Sequence, residues 1–171
     1  LLDVNALEVN REPEFSIFKL NTFLMDRANA FRPSASAKEI EIKLDQNVTE
    51  PVESDQEYLS RILDNLISNA IKFSPRNTVI QITSEIKGEF FSISVKDQGP
   101  GFNSADIKFM YQKFKKLTAR PTGGESSNGL GLAIVKILVD RLGGKIDLKT
   151  EVGKGSTFEI LLPVRPIGSL V

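Results

Sequence analysis

The chain has 171 residues, of which 40% are hydrophobic and 26% are charged, a composition typical of one globular domain with a single core. Its 22 basic and 22 acidic residues balance, so we expect neither a nucleic-acid partner nor a direct membrane contact, since both need a basic excess. The lack of cysteine and histidine excludes disulfides, thiol catalysis, imidazole metal sites and serine–histidine triads. No apolar run approaches the ~18 residues of a membrane span and no signal peptide is seen, so we expect a cytoplasmic domain.

The first 30 residues predict three short elements. Residues 1–7 have helical character and resemble the end of a longer helix, which Pro13 interrupts. Residues 15–20 predict a short edge strand. Asn21 then predicts the N-cap of a helix that runs to about Ala30.

A strand and a long helix follow. Residues 40–44 alternate isoleucine or leucine with charged residues, which predicts a half-buried strand. Asp55 predicts the N-cap of an amphipathic helix that ends before Pro75. The apolar residues of this helix recur at helical spacing, and they are Leu59, Ile62, Leu63, Leu66, Ile67, Ala70 and Ile71.

The second half of the chain predicts two hairpins around a long loop and a helix. Residues 79–86 and 90–95 read as strands joined by a tight turn, and an irregular, glycine-rich loop extends from 98 to 128. Residues 130–142 predict a buried helix that Gly143 and Gly144 end. Two last strands are predicted over 145–150 and 156–162. The sum predicts an α+β fold, a two-layer α/β sandwich whose mixed, largely antiparallel sheet carries its helices on one face.

Polar residues mark one flank of the long helix. Asn65, Asn69 and Lys72 fall on the same side, at spacings of four and three residues. Asn69 lies at the edge of the apolar stripe, where a buried amide without a partner would cost ~1–3 kcal/mol. From position alone, a solvated helix face with ordinary edge asparagines is favoured over a ligand site.

A carboxylate ends the strand before the glycine-rich loop. Phe91, Ile93, Val95 and Asp97 share one face of this strand, so Asp97 points towards the core. A lone buried carboxylate is costly and needs donors. The amino group of a ligand would supply one, and the amides of a turn that Asp97 caps would do so equally well.

Glycines and a serine supply the remaining candidates. Gly99 and Gly101 let the backbone turn sharply near a ligand, and an ordinary loop is the alternative explanation. Gly129 and Gly131 begin the buried helix, whose free amides form an anion site suited to a polyphosphate. Ser156 shares the inward face of the last strand, where its hydroxyl could bond a buried base or its own backbone.

In this order, the motifs resemble the GHKL group of ATP-binding domains, named for gyrase, Hsp90, histidine kinase and MutL, and the histidine-kinase branch fits best. The resemblance covers residues 55–163. It rests on an N box at residues 55–74, glycine boxes at 97–101, 129–136 and 153–158, and an F box at 111–114. It implies the Bergerat-type ATP-binding fold.

The resemblance also implies ATP and Mg²⁺ as cofactors and assigns roles to side chains. Asn69 would coordinate Mg²⁺, and Asn65 would contact the cluster of phosphates and metal. Asp97 would accept the adenine amino hydrogen. Lys72 would contact the phosphates and Lys116 would reach the γ-phosphate, so that Asn65, Lys72 and Lys116 would serve catalysis.

The same resemblance makes residues 103–128 an ATP lid that Tyr111 and Phe114 anchor. The other nucleotide contacts it implies are Phe73, Gly99, Gly101, Phe102, Gly129, Leu130, Gly131, Leu132, Ser156 and Thr157. ATPases of the group usually carry a glutamate, which activates water, at the position of Asn65. An asparagine cannot act as a base, so we expect a domain that shields ATP from water until a histidine attacks in line.

The resemblance divides the chain into three parts. Residues 1–10 would end a preceding dimerisation and phosphotransfer helix, 11–165 would be the catalytic domain, and 166–171 a C-terminal tail. The expected partners are a histidine-bearing helical hairpin, which this chain lacks, and a response regulator. We expect the fragment to be monomeric or weakly associated and its parent to be a homodimer, and the membrane anchoring of the parent stays open.

Three other functions remain as alternatives. An ATP-gated module of the gyrase or Hsp90 kind would hydrolyse ATP steadily. A degenerate domain would bind partners without using nucleotide. A relative of the serine kinases that act as anti-sigma factors is the third.

Overall fold

The main sheet has five strands and is mixed. The computed structural model describes residues 11–109 and 130–166. The strands follow in the spatial order β2 (Glu41–Gln46), β4 (Val79–Lys87), β5 (Phe90–Lys96), β7 (Gly155–Pro163) and β6 (Lys145–Glu151). Strands β2 and β4 are parallel, and the other neighbours in this sheet are antiparallel. Strands β1 (Ser16–Phe18) and β3 (Val52–Ser54) form a separate antiparallel pair.

The helices and the inner face of the sheet share one core. The described helices are α1 (Leu20–Ala37), α2 (Gln56–Phe73), α3 (Ser104–Phe109) and α4 (Leu130–Arg141). The core contains one inward-facing isoleucine from each of three adjacent strands, namely Ile82, Ile93 and Ile160. All three are fully buried in one cluster with Leu63 and Val135 of the helices. Each such side chain contributes ~1.5–3 kcal/mol of burial. The predicted α+β sandwich with a mixed sheet is confirmed. None of the helices within 11–109 and 130–166 could cross a membrane.

Helix α2 has the predicted bounds, and both of its ends have bonding partners. Asp55 is its N-cap, with Oδ1 accepting a hydrogen bond from the Tyr58 amide at 2.9 Å. The last carbonyls of a helix lack intrahelical donors. Here the buried Lys38 ammonium donates to the carbonyls of Ile71 and Lys72, at 2.9 and 3.0 Å. This contact ties the end of α2 to the residue that follows α1.

The prediction for the first helix was wrong at both ends. Helix α1 begins at Leu20 after Lys19, continues through Pro33 and ends at Ala37, so Asn21 lies inside its first turn and caps nothing. An interior proline costs a helix ~3 kcal/mol. Buried side chains on both sides of the proline, Leu24, Ala28 and Ala35, place this helix against the core, so that tertiary packing overrides the local signal.

Two other predictions needed changes. The strand predicted at 15–20 is β1, which pairs with β3, a strand that the sequence pattern did not predict. The loop from 98 to 128 was predicted to be irregular, but it contains α3. Asn103 and Asp106 cap that helix reciprocally: Asn103 Oδ1 accepts from the Asp106 amide at 2.8 Å, and Asp106 Oδ2 accepts from the Asn103 amide at 3.4 Å. Residues 110–129 lie outside the described part of the chain.

Candidate functional site

Asp97 sits at the end of β5 with its two carboxylate oxygens in different situations. The residue is 6% exposed. Its Oδ1 accepts hydrogen bonds from the amides of Gly99 at 2.9 Å and Ser156 at 3.1 Å. Its Oδ2 accepts none from the residues that the structure describes. One oxygen therefore fixes the turn, and the other is available to a donor from a ligand.

Burial sets the protonation of this carboxyl group. It raises the pKa of Asp97 to about 6, and the hydrogen bonds from Gly99 and Ser156 oppose that rise. The group is therefore mostly ionised at neutral pH, at a cost in desolvation. A ligand N–H group directed at Oδ2 would offset part of this cost.

The glycine-rich turn after Asp97 is packed too tightly for side chains. A Cβ atom on Gly99 would lie 2.7 Å from the Phe73 carbonyl oxygen at the end of α2. Gly101 has a φ of 72°, and a Cβ atom there would collide with the Glu151 carbonyl of β6. The turn is thus held between α2 on one side and the β6–β7 hairpin on the other.

Thr150 is a site residue that sequence reasoning missed. Its Oγ1 accepts a hydrogen bond from the Phe102 amide at 2.9 Å and lies 2.9 Å from Ser156 Oγ. The hydroxyl of Ser156 is therefore engaged with Thr150, and Ser156 reaches Asp97 through its backbone. The alternation along β6 contained the signal, because Thr150 shares the inward parity of Ile146 and Leu148.

Three aromatic rings form the wall below the turn. Phe102 makes edge contacts with Phe73 and with Phe158, at ring-centroid distances of 5.8 and 6.3 Å. All three rings are buried. Such offset pairs contribute ~0.5–1.5 kcal/mol each beyond burial, so they stiffen the position of Phe102 and of the turn before it.

The polar flank of α2 meets the start of α4. A Cβ atom on Gly131 would lie 2.9 Å from Asn65 Oδ1, so the first turn of α4 passes directly beside this amide. Asn65 Nδ2 donates to the Arg61 carbonyl at 2.8 Å, which leaves its oxygen directed away from the helix backbone. The side chain of Asn69 is half-buried and has no hydrogen-bond partner among the described residues. Its amide is therefore available to a ligand.

The two ends of the candidate site both lie along helix α2. Asn65 contacts Gly131, and Phe73 contacts Gly99 next to Asp97. Phe73 follows Asn65 by eight positions along the helix, a rise of ~12 Å. The group therefore forms an elongated site, with a carboxylate at one end and a helix start flanked by amides at the other.

The donor set suits Mg²⁺ only if a ligand contributes oxygens. Across 11–109 and 130–166, no cluster of histidine, cysteine, aspartate or glutamate could hold a metal ion. The amide oxygens of Asn65 and Asn69 are hard ligands of the kind that Mg²⁺ accepts beside substrate phosphates. The residues present fit a metal that arrives with a polyphosphate.

Not every predicted residue joins the site. Thr157 pairs with Lys96 and Lys149 and has the parity of the solvent-facing side of the sheet, opposite to Asp97. Leu132 is buried in the core. The backbone of Leu130 begins α4, and Lys72 is half-buried on the polar flank of α2. The remaining predicted residues, Tyr111, Phe114, Lys116 and Gly129, lie outside the described residues.

Comparisons with known proteins identify the family of the chain. Residues 54–166 match the family described as histidine kinase-, DNA gyrase B-, and HSP90-like ATPase. The chain is 32% identical over 167 residues to the sensor-like histidine kinase SenX3 of Mycobacterium bovis, covering 95% of this chain and 40% of that protein. It is 34% identical over 146 residues to the autoinducer 2 sensor kinase/phosphatase LuxQ of Vibrio parahaemolyticus, covering 80% of this chain and 17% of that protein.

Solved structures show the same fold. The catalytic domain of the histidine kinase ThkA superposes with a TM-score of 0.78 at 28% identity, covering 90% of this chain and 97% of that one. Full-length ShkA in complex with AMPPNP gives a TM-score of 0.78 at 28% identity, covering 93% of this chain and 34% of that one. The chain thus spans less than half the length of the curated relatives named above. It belongs to the histidine kinase-, DNA gyrase B- and HSP90-like ATPase family, as an ATP-binding domain of the histidine-kinase kind.

Proposed function

We propose that this chain positions Mg²⁺–ATP for transfer of the γ-phosphoryl group to a histidine on a helical hairpin that the chain itself lacks. The observation that carries the proposal is Asp97, whose Oδ1 is fixed by two amides while Oδ2 is left for a donor. An adenine amino group is such a donor. Guanine has a carbonyl at the equivalent position, so the same oxygen would discriminate ATP from GTP.

The far end of the site suits a triphosphate. With adenine at Asp97, the phosphates would extend along α2 towards Asn69, Asn65 and the first turn of α4. Bound Mg²⁺ would neutralise phosphate charge there. Lys72, and Lys116 from outside the described residues, would add positive charge as the bond between the γ-phosphorus and the bridging oxygen breaks.

Within the described residues, the amide on the polar flank of α2 favours transfer to a histidine over transfer to water. The polar flank of α2 carries Asn65, and the neighbouring carboxylate, Asp64, forms an ion pair with Arg27 at 3.2 Å. Asn65 is an amide and cannot deprotonate a water molecule, and the Asp64 carboxylate is engaged with Arg27. A histidine nitrogen needs only to approach in line: it bonds to the γ-phosphorus, and ADP leaves.

The wider context of the domain belongs to the same proposal. Residues 1–10 would end the helix that precedes the domain, 11–165 would form the catalytic domain and 166–171 a short tail. The parent protein would dimerise through the missing hairpin and pass the phosphoryl group to a response regulator. The fragment itself would be monomeric.

A transfer assay tests the proposal. The chain is incubated with Mg²⁺ and ATP labelled at the γ-phosphate, with and without a separately supplied histidine-bearing hairpin. We expect label on the hairpin, none on the chain, and slow release of phosphate when the hairpin is absent. Steady ATP turnover that disappears when one carboxylate is changed would instead indicate the gyrase-like mechanism.

The metal role is tested by Asn69→Asp. A carboxylate at this position would change the charge around the metal, so we expect weaker ATP binding in the presence of Mg²⁺, lower transfer, and a smaller effect on ADP. Asn29→Asp on the exposed side of α1 is the matched control and should change neither. Equal losses of ATP and ADP affinity would contradict a metal role for Asn69, and both are measured by isothermal titration.

A further inference from the structure

Arg11 holds the chain to the domain at the point where residues 1–10 join it. Its guanidinium donates two hydrogen bonds to the Asp55 carboxylate, Nη1 to Oδ2 at 2.7 Å and Nη2 to Oδ1 at 3.0 Å. Nη2 also donates to Glu57 Oε2 at 3.1 Å, and the guanidinium lies 4.5 Å from the centre of the Tyr58 ring. Such a fork is stronger and better oriented than a single ion-pair contact.

The backbone of the incoming segment, residues 11–14, is held as well. The Glu14 amide donates to Asp55 Oδ2 at 2.8 Å. The Arg11 carbonyl accepts from the Tyr58 hydroxyl and, at 3.2 Å, from Arg141 Nη1 at the end of α4. The segment is therefore tied both to the start of α2 and to the end of α4.

Asp55 does more here than cap a helix. An N-cap needs one carboxylate oxygen, and Oδ1 fills that role by accepting from Tyr58. The second oxygen is used by the incoming segment. Asp55 is 1% exposed, so a carboxylate without Arg11 would be a buried and poorly paired charge. Burial raises the pKa of the Asp55 carboxyl, but hydrogen bonds from Arg11, Tyr58 and Glu14 together hold it below its ordinary range.

The two helices held in this way are the ones that flank the candidate site. Helix α2 carries Asn65 and Asn69, and the first turn of α4, at Gly131, lies beside Asn65. A rigid attachment to both helices sets the direction from which the preceding segment approaches the domain. In a kinase that phosphorylates its own chain, this direction limits where the acceptor can lie relative to the γ-phosphate.

We propose that Arg11 is a positioning residue, which locks residues 11–14 onto α2 and α4 and so fixes the direction of the chain that precedes the domain. The consequence for catalysis rests on the proposed function, but the lock itself is independent of nucleotide. Arg11→Ala should release the segment and leave the candidate site intact. Arg11→Lys keeps the charge but loses the fork, so it should give an intermediate result.

Spin labels measure the lock directly. The chain has no native cysteine, so Glu12→Cys and Lys149→Cys give two specific labelling sites, both exposed. Pulsed dipolar spectroscopy should show one narrow distance distribution in the otherwise native chain. Arg11→Ala should broaden it roughly twofold or more, since a charged pair and its hydrogen bonds are lost. Arg76→Ala, at an exposed arginine, is the matched control and should leave the distribution narrow.

Hydrogen exchange separates a local lock from general stability. In Arg11→Ala, the Glu14 amide should exchange roughly tenfold faster or more, while the Gly153 amide, bonded to the Pro100 carbonyl at 2.8 Å, should not change. Equal acceleration of both amides would overturn the proposal, because Arg11 would then only stabilise the whole domain. The proposal would also be overturned if Arg11→Ala kept a narrow distance distribution and an unchanged exchange rate of the Glu14 amide.

A nucleotide titration of the same variant separates this inference from the proposed function. Arg11→Ala should bind ADP as the native chain does. If the native chain binds no nucleotide, the proposed function fails, while the distance and exchange results still decide the role of Arg11.

Discussion

Asp97 combines a structural and a functional position in one side chain. Its Oδ1 holds the turn through Gly99 and the last strand through Ser156, and Oδ2 accepts nothing from the described part of the chain. Keeping a buried carboxylate in this state costs stability, because desolvation disfavours the charge. Residues retained against such a cost are typical of sites that bind or react. Because the Asp97 carboxylate lowers stability but is available to a ligand, its replacement should change nucleotide affinity and the free energy of unfolding in opposite directions.

The first prediction concerns nucleotide affinity. Asp97→Asn keeps an oxygen for the Gly99 and Ser156 amides but removes the charge offered to a ligand donor. A hydrogen bond to a charged group is worth ~1.5–3 kcal/mol, so we expect affinity for ADP and for ATP to fall roughly tenfold to a hundredfold. Isothermal titration measures both, and Asp147→Asn on the solvent-facing side of β6 is the control. If the affinity of Asp97→Asn equals that of the native chain, adenine does not bind at Asp97.

The second prediction concerns the dependence of stability on pH. The pKa of Asp97 rises from 3.8 to about 6 on folding, so the native state binds more protons than the unfolded state between these values. The contribution of Asp97 is fully present below pH 3.8 and is lost as pH rises through about 6. This loss is at most ~3 kcal/mol at pH 7.

Asp97→Asn removes this titration. It should therefore raise the free energy of unfolding at pH 7, while gaining little at pH 4, although it weakens nucleotide binding. Urea denaturation of both chains at the two pH values measures this. A difference between them that does not change with pH would mean that Asp97 titrates normally.

Elements differ in how far the sequence predicts them, and the difference follows from where their causes lie. The cap at Asp55, the apolar stripe of α2 and the stop at Pro75 are local, so the bounds of α2 could be predicted. The inward side of Asp97 could be predicted from the alternation along β5. The length of α1 and the pairing of β1 with β3 depend on distant contacts, and a local pattern does not contain them.

The same limit applies to the candidate site. Sequence reasoning found Asn65, Asn69 and Asp97 as separate signals. It could not show that Gly131 lies against Asn65 or that Phe73 lies against Gly99, because these contacts join residues far apart in the chain. Thr150 was missed because a threonine at the end of a strand has many ordinary explanations. Thr157 was predicted as a site residue because it lies in the glycine box at 153–158, but the pleat of β7 turns it to the solvent-facing side of the sheet.

The turn after Asp97 allows a matched test with two glycines. Gly101 and Gly88 have similar φ values, 72° and 65°, but a Cβ atom at Gly88 has nothing within 4 Å, while one at Gly101 meets the Glu151 carbonyl. Alanine in a left-handed conformation costs ~1–2 kcal/mol at either position. At Gly101 the collision should add a further ~1–3 kcal/mol and weaken nucleotide binding.

Urea denaturation and nucleotide titration of the two alanine variants measure this difference. Gly88→Ala should lose stability only modestly and bind nucleotide normally. Equal stability losses in the two variants would show that the packing of the turn against β6 does not matter.

At the scale of the whole molecule, helix α2 connects the incoming segment to the candidate site. The described contacts place the incoming segment at the start of α2, the amides beside α4 along its middle, and the turn after Asp97 at its end. The family and the fold follow from the matched residues 54–166 and from the ThkA structure. The arrangement differs from that expected of an ATPase, because the flank of α2 carries an amide where a base would stand.

The most direct test is a titration of the isotope-labelled chain with ADP and ATP, each with and without Mg²⁺, followed by amide NMR. We predict that both nucleotides shift the amides of Asp97, Gly99 and Ser156, and that ATP shifts Asn69 in a way that depends on Mg²⁺. Saturating nucleotide that leaves these amides unshifted, or shifts only the solvent-facing side of the sheet, would contradict the assignment of this site to ATP.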